Sequence, residues 1–142
     1  MQMGIEIVPY ADQHFDGVKA LWREAFPDDP PHRATIPHNQ AIQPDLLLVA
    51  VEGKRVIGSV FAGFDGFRGW LYRVSVLRTH RRLGVGTKLI DEAEERLKLL
   101  GCKKINLQIV GSNDGVTGFY RRLGYSVEER VSMGKRVDRP SE

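Results

Sequence analysis

The stretch "LRTHRRLGVGTKLI", Leu77 to Ile90, holds the residues of this chain best suited to meeting a phosphate. Arg78, Arg81, Arg82 and Lys88 carry positive charge, Gly84 and Gly86 lack side chains, and Thr87 adds a hydroxyl. No acid falls between Arg78 and Ile90; Asp91, Glu92, Glu94 and Glu95 then arrive together. Val85, Leu89, Ala93, Leu97 and Leu100 recur at steps of four and three, which predicts an amphipathic helix closed by Gly101. The front of such a helix offers backbone N–H groups without internal partners, at the positive end of the macrodipole. A diphosphate fits there, because the glycines let the backbone come close. The competing reading is a tight strand-to-helix turn with solvated arginines.

Two other phosphate motifs are excluded by spacing. A P-loop needs a glycine five residues before a Gly-Lys-Ser/Thr triplet, and Gly86 is followed by Thr87 and Lys88 with no such glycine. A dinucleotide fingerprint needs a third glycine three residues after the second, where Leu89 stands.

The remaining reactive side chains point to less. His14, His32, His38 and His80 show no metal-type pairing, and no metal is expected. His80 reads as a surface histidine beside the turn. Cys102, the single cysteine, excludes an internal disulfide and reads as a small packed residue, with no activating histidine near it in sequence. Val116, Phe119, Tyr120 and Leu123 share one helical face, so Tyr120 is either a core tyrosine or a proton donor. Trp22, Phe26, Asp28 and Asp29 form a further cluster. Its acids suit either a cationic amine or helix-end and turn positions.

The elements that position these residues follow from pattern. "GIEIVPY" alternates as a first strand, and Asp12 is placed to cap a helix carrying Phe15, Val18, Trp22 and Ala25. "FPDDPPHRA" ends that helix, with a weaker helical stretch over 34–42. "DLLLVAVE", "RVIGSVFAGF" and "GWLYRVSVL" form an antiparallel meander turned at Gly53-Lys54 and Asp65-Gly66. After the long helix, "KKINLQIV" is a strand parallel to its predecessor through a right-handed crossover. Asn113 then caps the helix "DGVTGFYRRL", which Gly124 ends. "YSVEERVSMGKRV" supplies one or two closing strands, and "DRPSE" is a solvated tail.

At 142 residues with 42% hydrophobic and 27% charged side chains, the chain is expected to form one globular domain. No apolar run is long enough for a membrane span, and no signal peptide is evident, so a cytoplasmic location is expected. A net charge of +3 with a pI near 9.2 is mild for a nucleic-acid binder. The acidic second half of the long helix interrupts any basic stripe.

The spacing from Arg81 through Gly84 to Gly86 matches [Q/R]-x-x-G-x-[G/A], after a strand and opening a helix. "NDGVTGFYRRLGY" adds Asn113, Val116, Tyr120 and Gly124-Tyr125. Together these resemble two signatures of the GNAT superfamily of N-acetyltransferases, and "AGFDGFRG" resembles its small stand-alone bacterial, YpeA-like members. The resemblance implies a mixed α/β fold, with one GNAT domain over residues 1–137 and the tail at 138–142. Its central, mostly antiparallel sheet would splay between the fourth and fifth strands, flanked by about four helices. It implies direct transfer of an acetyl group from acetyl-CoA to a primary amine, without a metal. Backbone at Val74 and Val76 would hold the pantetheine arm, the Val76 N–H polarising the thioester carbonyl. Arg81, Arg82, Leu83, Gly84, Val85, Gly86 and Thr87 would cradle the pyrophosphate, Asn113 and Phe119 would contact the cofactor, and Tyr120 would be the general acid. No base is assigned, because Tyr72, Arg73, Val74 and Ser75 include no carboxylate and Asp65, Glu52 and Glu24 are distant. Arg78 and Arg82 depart from the common pattern of proline and a second glycine. The rival expectations are a non-catalytic acyl-CoA-binding module of the same fold and, further off, a nucleic-acid binder. A homodimer through the closing strands is compatible with the sequence.

Overall fold

The computed structural model describes residues 4–28, 43, 45–109 and 115–137. It divides into two units, Met1–Gln108 and Ile109–Glu142.

The first unit holds a five-stranded sheet in the order β1 (Ile5–Pro9), β2 (Leu47–Glu52), β3 (Arg55–Phe64), β4 (Gly69–Val76), β5 (Ile105–Leu107). The first three pairings are antiparallel, and β4 pairs with β5 in parallel. That parallel pair is joined by helix α2 (Val85–Leu99), the connection a parallel neighbour requires. Helix α1 (Phe15–Ala25) follows a 3-10 turn at Asp12–His14. Asp12 therefore lies inside that turn rather than capping α1, whose N-cap is His14. The competing interaction is a local one: the Ala11 N–H donates to His14 Nδ1 at 2.9 Å, closing the turn.

Strand β2 is buried on both faces from Leu47 to Val51, which is why it reads as a continuous apolar run. Leu47, Val49 and Val51 pack with Val18, Leu21 and Trp22 of α1. The intervening Leu48 and Ala50 face the opposite side by the period of two, the side on which α2 lies. There Gly58 sets the approach of α2, since a Cβ would stand 3.1 Å from Leu89 Cδ1 and 3.4 Å from Val85 Cγ1.

The expected hairpin turns form with Gly53 and Gly66 at φ +63° and +88°. Helix α2 ends as the glycine predicts: the Cys102 N–H donates to Leu97 O and the Gly101 N–H to Lys98 O, the paired bonds of a Schellman cap. The expected stretch at 34–42 lies outside the described residues.

The second unit contains α3 (Thr117–Arg122), ended in the same way by Gly124 at φ +99°. Residues 125–137 carry the alternation of a strand, yet among the described residues they form no hydrogen-bonded strand. Val127, Val131, Met133 and Val137 are exposed. The expected closing strands are thus corrected: alternation marks a face, but a strand forms only where a partner's N–H and C=O groups meet it.

Candidate active site

The site begins with a fault in β4. Ser59 of β3 pairs with Ser75 and Phe61 with Tyr72, so two β4 residues, Arg73 and Val74, stand opposite the single residue Val60. Arg73 adopts φ +53°, in the left-handed region that few non-glycine residues enter. This bulge bends the strand. Among the described residues, pairing with β5 covers Gly69–Leu71 and does not extend to the bulge.

A buried polar network holds the bend. Trp22 Nε1 donates to Ser59 Oγ at 2.8 Å, Ser59 Oγ donates to the Arg73 carbonyl at 2.7 Å, and the Ser59 and Ser75 hydroxyls lie 3.1 Å apart. The Arg73 guanidinium lies 5.0 Å from the Trp22 ring and 4.8 Å from the Phe26 ring.

Beyond the bend, β4 presents an edge. The Leu77 N–H donates to Ile57 O of β3 at 2.8 Å, so alternation turns the N–H and C=O of Val76 away from β3. They face the side on which β5 pairs with β4 at Gly69–Leu71. Arg81 Nε donates to the Val76 carbonyl at 3.1 Å. The chain then runs through the 3-10 turn Arg78–His80 into α2.

Three contacts anchor this turn. Glu24 Oε2 accepts from the Arg78 N–H at 2.9 Å, His80 Nε2 lies 3.0 Å from Glu52 Oε1, and His80 Nδ1 lies 2.7 Å from Thr79 Oγ1. His80 is buried at 8% exposure, which corrects the surface reading: the ring is used to tie the turn to β2. Arg82 and Gly84 both have positive φ, +67° and +78°. The first turn of α2 has neither an acidic residue nor a side-chain cap, leaving its first N–H groups open to an anion.

The expected site residues fall into three groups. Arg81, Arg82, Leu83 and Gly84 are exposed on the turn, with Gly86 and Thr87 half-buried. Val85 is buried, its side chain against the position of Gly58, so only its backbone faces the turn. Val74 and Val76 stand on β4 beyond the residues that pair with β5, both half-buried. Phe119 and Tyr120 belong to the second unit, their rings 5.1 Å apart, with Tyr125 6.0 Å from Tyr120. Burial pushes the Tyr120 phenol above its usual value of 10.0, which keeps it protonated. Asn113 and Asp29 lie outside the described residues.

Each acid weighed as a base has a structural bond. Glu24 holds Arg78, Glu52 holds His80, and Asp65 Oδ1 accepts from the Phe67 and Arg68 N–H groups at 2.7 Å each. Those backbone donors lower the Asp65 carboxyl below its usual value. Sequence reasoning missed Ser59 and the role of Arg73. No local signal marks either, since their partners stand 14 to 51 positions away.

The site thus combines an antiparallel meander that crosses in parallel to a fifth strand with an arginine-rich turn at the N-terminus of the crossover helix. The chain belongs to the acetyltransferase (GNAT) family, whose model matches residues 15–125. It is 34% identical over 136 residues to an acetyltransferase of Pectobacterium atrosepticum, covering 94% of this chain and 96% of that one. Among solved structures, Ard1 from Thermoplasma volcanium matches with a TM-score of 0.81 at 17% identity, covering 89% of this chain and 85% of that one. An aminoglycoside N-acetyltransferase, AAC(6')-Iy, in complex with CoA matches with a TM-score of 0.75 at 20% identity, covering 93% and 94%. No helix among the described residues is long and apolar enough to cross a membrane.

Proposed function

We propose that this protein transfers an acetyl group from acetyl-CoA directly to a primary amine. The observation that carries the reading is the length of β4 beyond Leu71, which among the described residues has no strand partner on the β5 side, followed through the Arg78–His80 turn by an acid-free helix N-terminus. An extended amide-bearing arm suits the edge, and a pyrophosphate suits the turn. CoA bound to the structural relative supports this donor. Acetyl-CoA supplies an activated thioester: the new C–N bond forms as the C–S bond breaks.

The chain's own groups have distinct tasks. Backbone N–H groups from Arg81 to Thr87 hold phosphate oxygens, with Arg82 and Lys88 adding charge. Arg81 Nε takes the Val76 carbonyl, so that residue's N–H remains the donor for the thioester oxygen, where negative charge develops. Backbone groups at Val74 hold the arm alongside. Asn113 and Phe119 are assigned to the cofactor and Tyr120 to proton donation to the departing sulfur, on the strength of the motif. The catalytic domain is taken as residues 1–137, with 138–142 outside it.

Because Glu24, Glu52 and Asp65 already hold backbone or histidine partners, a second reading keeps the fold and the ligand without the reaction: an acyl-CoA-binding module. Thermal unfolding with acetyl-CoA, CoA, NAD, ATP and a DNA duplex comes first. A ligand at a hundred times its Kd adds about 2.7 kcal/mol. Stabilisation by CoA compounds alone supports the donor site, and thiol release with amines then separates enzyme from module. Stabilisation by DNA or ATP in place of CoA overturns both.

A further inference from the structure

The segment that leads into the arginine-rich turn is held by two acids from other parts of the chain. Glu24, the penultimate residue of α1, accepts the Arg78 N–H at Oε2, 2.9 Å away. Glu52, the last residue of β2, lies 3.0 Å from His80 Nε2 through its Oε1. A carboxylate only accepts, so Nε2 carries the hydrogen of that bond. His80 Nδ1 is then left 2.7 Å from the Thr79 hydroxyl. Of residues 78–84, His80 alone is buried and the other six are exposed. Arg82 and Gly84 are both left-handed, at φ +67° and +78°. An exposed segment of this kind has little packing to hold it in one shape.

Both acids also bring negative charge to the neighbourhood of the turn. Charge alone makes them unfavourable to an anionic ligand. Their hydrogen bonds act the other way, because a turn already in place need not be ordered when the ligand binds. The two effects have opposite signs. We propose that Glu24 and Glu52 are positioning residues of the donor site, acids whose loss weakens the binding of an anionic ligand. This rests on reading Arg81–Thr87 as the pyrophosphate turn. Glu24 ties the start of the segment to α1. Glu52, through the buried ring of His80, ties its middle to β2. Neither acid meets the ligand itself: they hold Arg78 and His80, and the phosphate oxygens meet the N–H groups that follow.

The test is calorimetric titration of CoA into wild type, Glu24→Ala, Glu24→Gln, Glu52→Ala and Glu52→Gln. Glutamine removes the charge but keeps an oxygen that accepts the same hydrogen bond, whereas alanine removes both. Each alanine variant should raise the Kd for CoA about five-fold or more. Each glutamine variant should stay within about two-fold of wild type or bind more tightly, since its hydrogen bond survives. An alanine variant that binds CoA as tightly as wild type, or more tightly, overturns the proposal for that acid and leaves the donor site standing. A glutamine variant as weak as its alanine counterpart overturns it too, because the hydrogen bond is then not what counts. The two anchors come from different elements, so if one alanine variant fails to fold, as thermal unfolding without ligand would show, the other decides. A wild type that binds no CoA overturns the donor reading itself, and the positioning role with it.

Discussion

Trp22 Nε1 and Ser59 Oγ, 37 positions apart in sequence, meet at 2.8 Å in the buried space between α1 and the sheet. The hydroxyl that accepts the hydrogen bond of the indole N–H donates one of its own to the Arg73 carbonyl. One side chain thereby joins the helix to the bulged strand.

Removing that hydroxyl should be costly. Ser59→Ala leaves the indole N–H and the Arg73 carbonyl without their buried partner, a loss of about 1–3 kcal/mol. Urea unfolding should show the loss, and the midpoint of thermal unfolding should fall by several degrees. A variant as stable as wild type would mean that the bulge holds itself.

Two glycines of the Arg81–Thr87 turn separate backbone strain from the proposed ligand contact. Gly84 sits at φ +78°, and a Cβ added there would meet no atom within 4 Å. Gly84→Ala should therefore cost about 1–2 kcal/mol through backbone conformation alone. Gly86→Glu instead places a carboxylate at the helix N-terminus. It should leave a folded protein whose melting temperature no longer responds to acetyl-CoA. A normal ligand response in Gly86→Glu would move the pyrophosphate elsewhere.

Tyr120→Phe should keep acetyl-CoA binding and slow turnover by ~10²–10⁴-fold if proton donation matters. Because burial raises the phenol above 10.0, Tyr120 stays protonated as pH rises to that value. The wild-type rate should therefore show no Tyr120-dependent decline below it. Unchanged kcat in the variant would remove Tyr120 from the reaction.

Stability should depend on His14 at mildly acidic pH. Burial lowers this imidazole below its usual 6.5, and its Nδ1 accepts the Ala11 N–H, a bond that protonation at that nitrogen would end. The unfolded chain then binds the proton more readily than the folded one, so stability rises with pH through this window. It should fall as pH drops below 6.5 towards the lower folded value. In His14→Gln that slope should shrink when denaturant curves are compared across the same range.

The sequence by itself determined whatever depends on neighbours along the chain. Gly53 and Gly66 mark hairpin turns because their positive φ angles suit a residue without Cβ. Gly101 and Gly124 end helices for the same reason. The apolar spacing from Val85 to Leu97 defines the buried face of α2. The glycine-arginine turn was legible because its spacing is a local property.

Tertiary structure decided the rest. Arg73 enters the left-handed region with no local signal, because Ser59, Trp22 and Phe26 hold it from other elements. His80 is buried with Glu52 of β2 as its ring partner, and the exposed Arg81 turns back to the Val76 carbonyl. The alternation after Tyr125 foretold strands, yet no ladder forms there among the described residues. Periodicity sets which side chains share a face; hydrogen-bond partners brought from distant positions decide what that face meets.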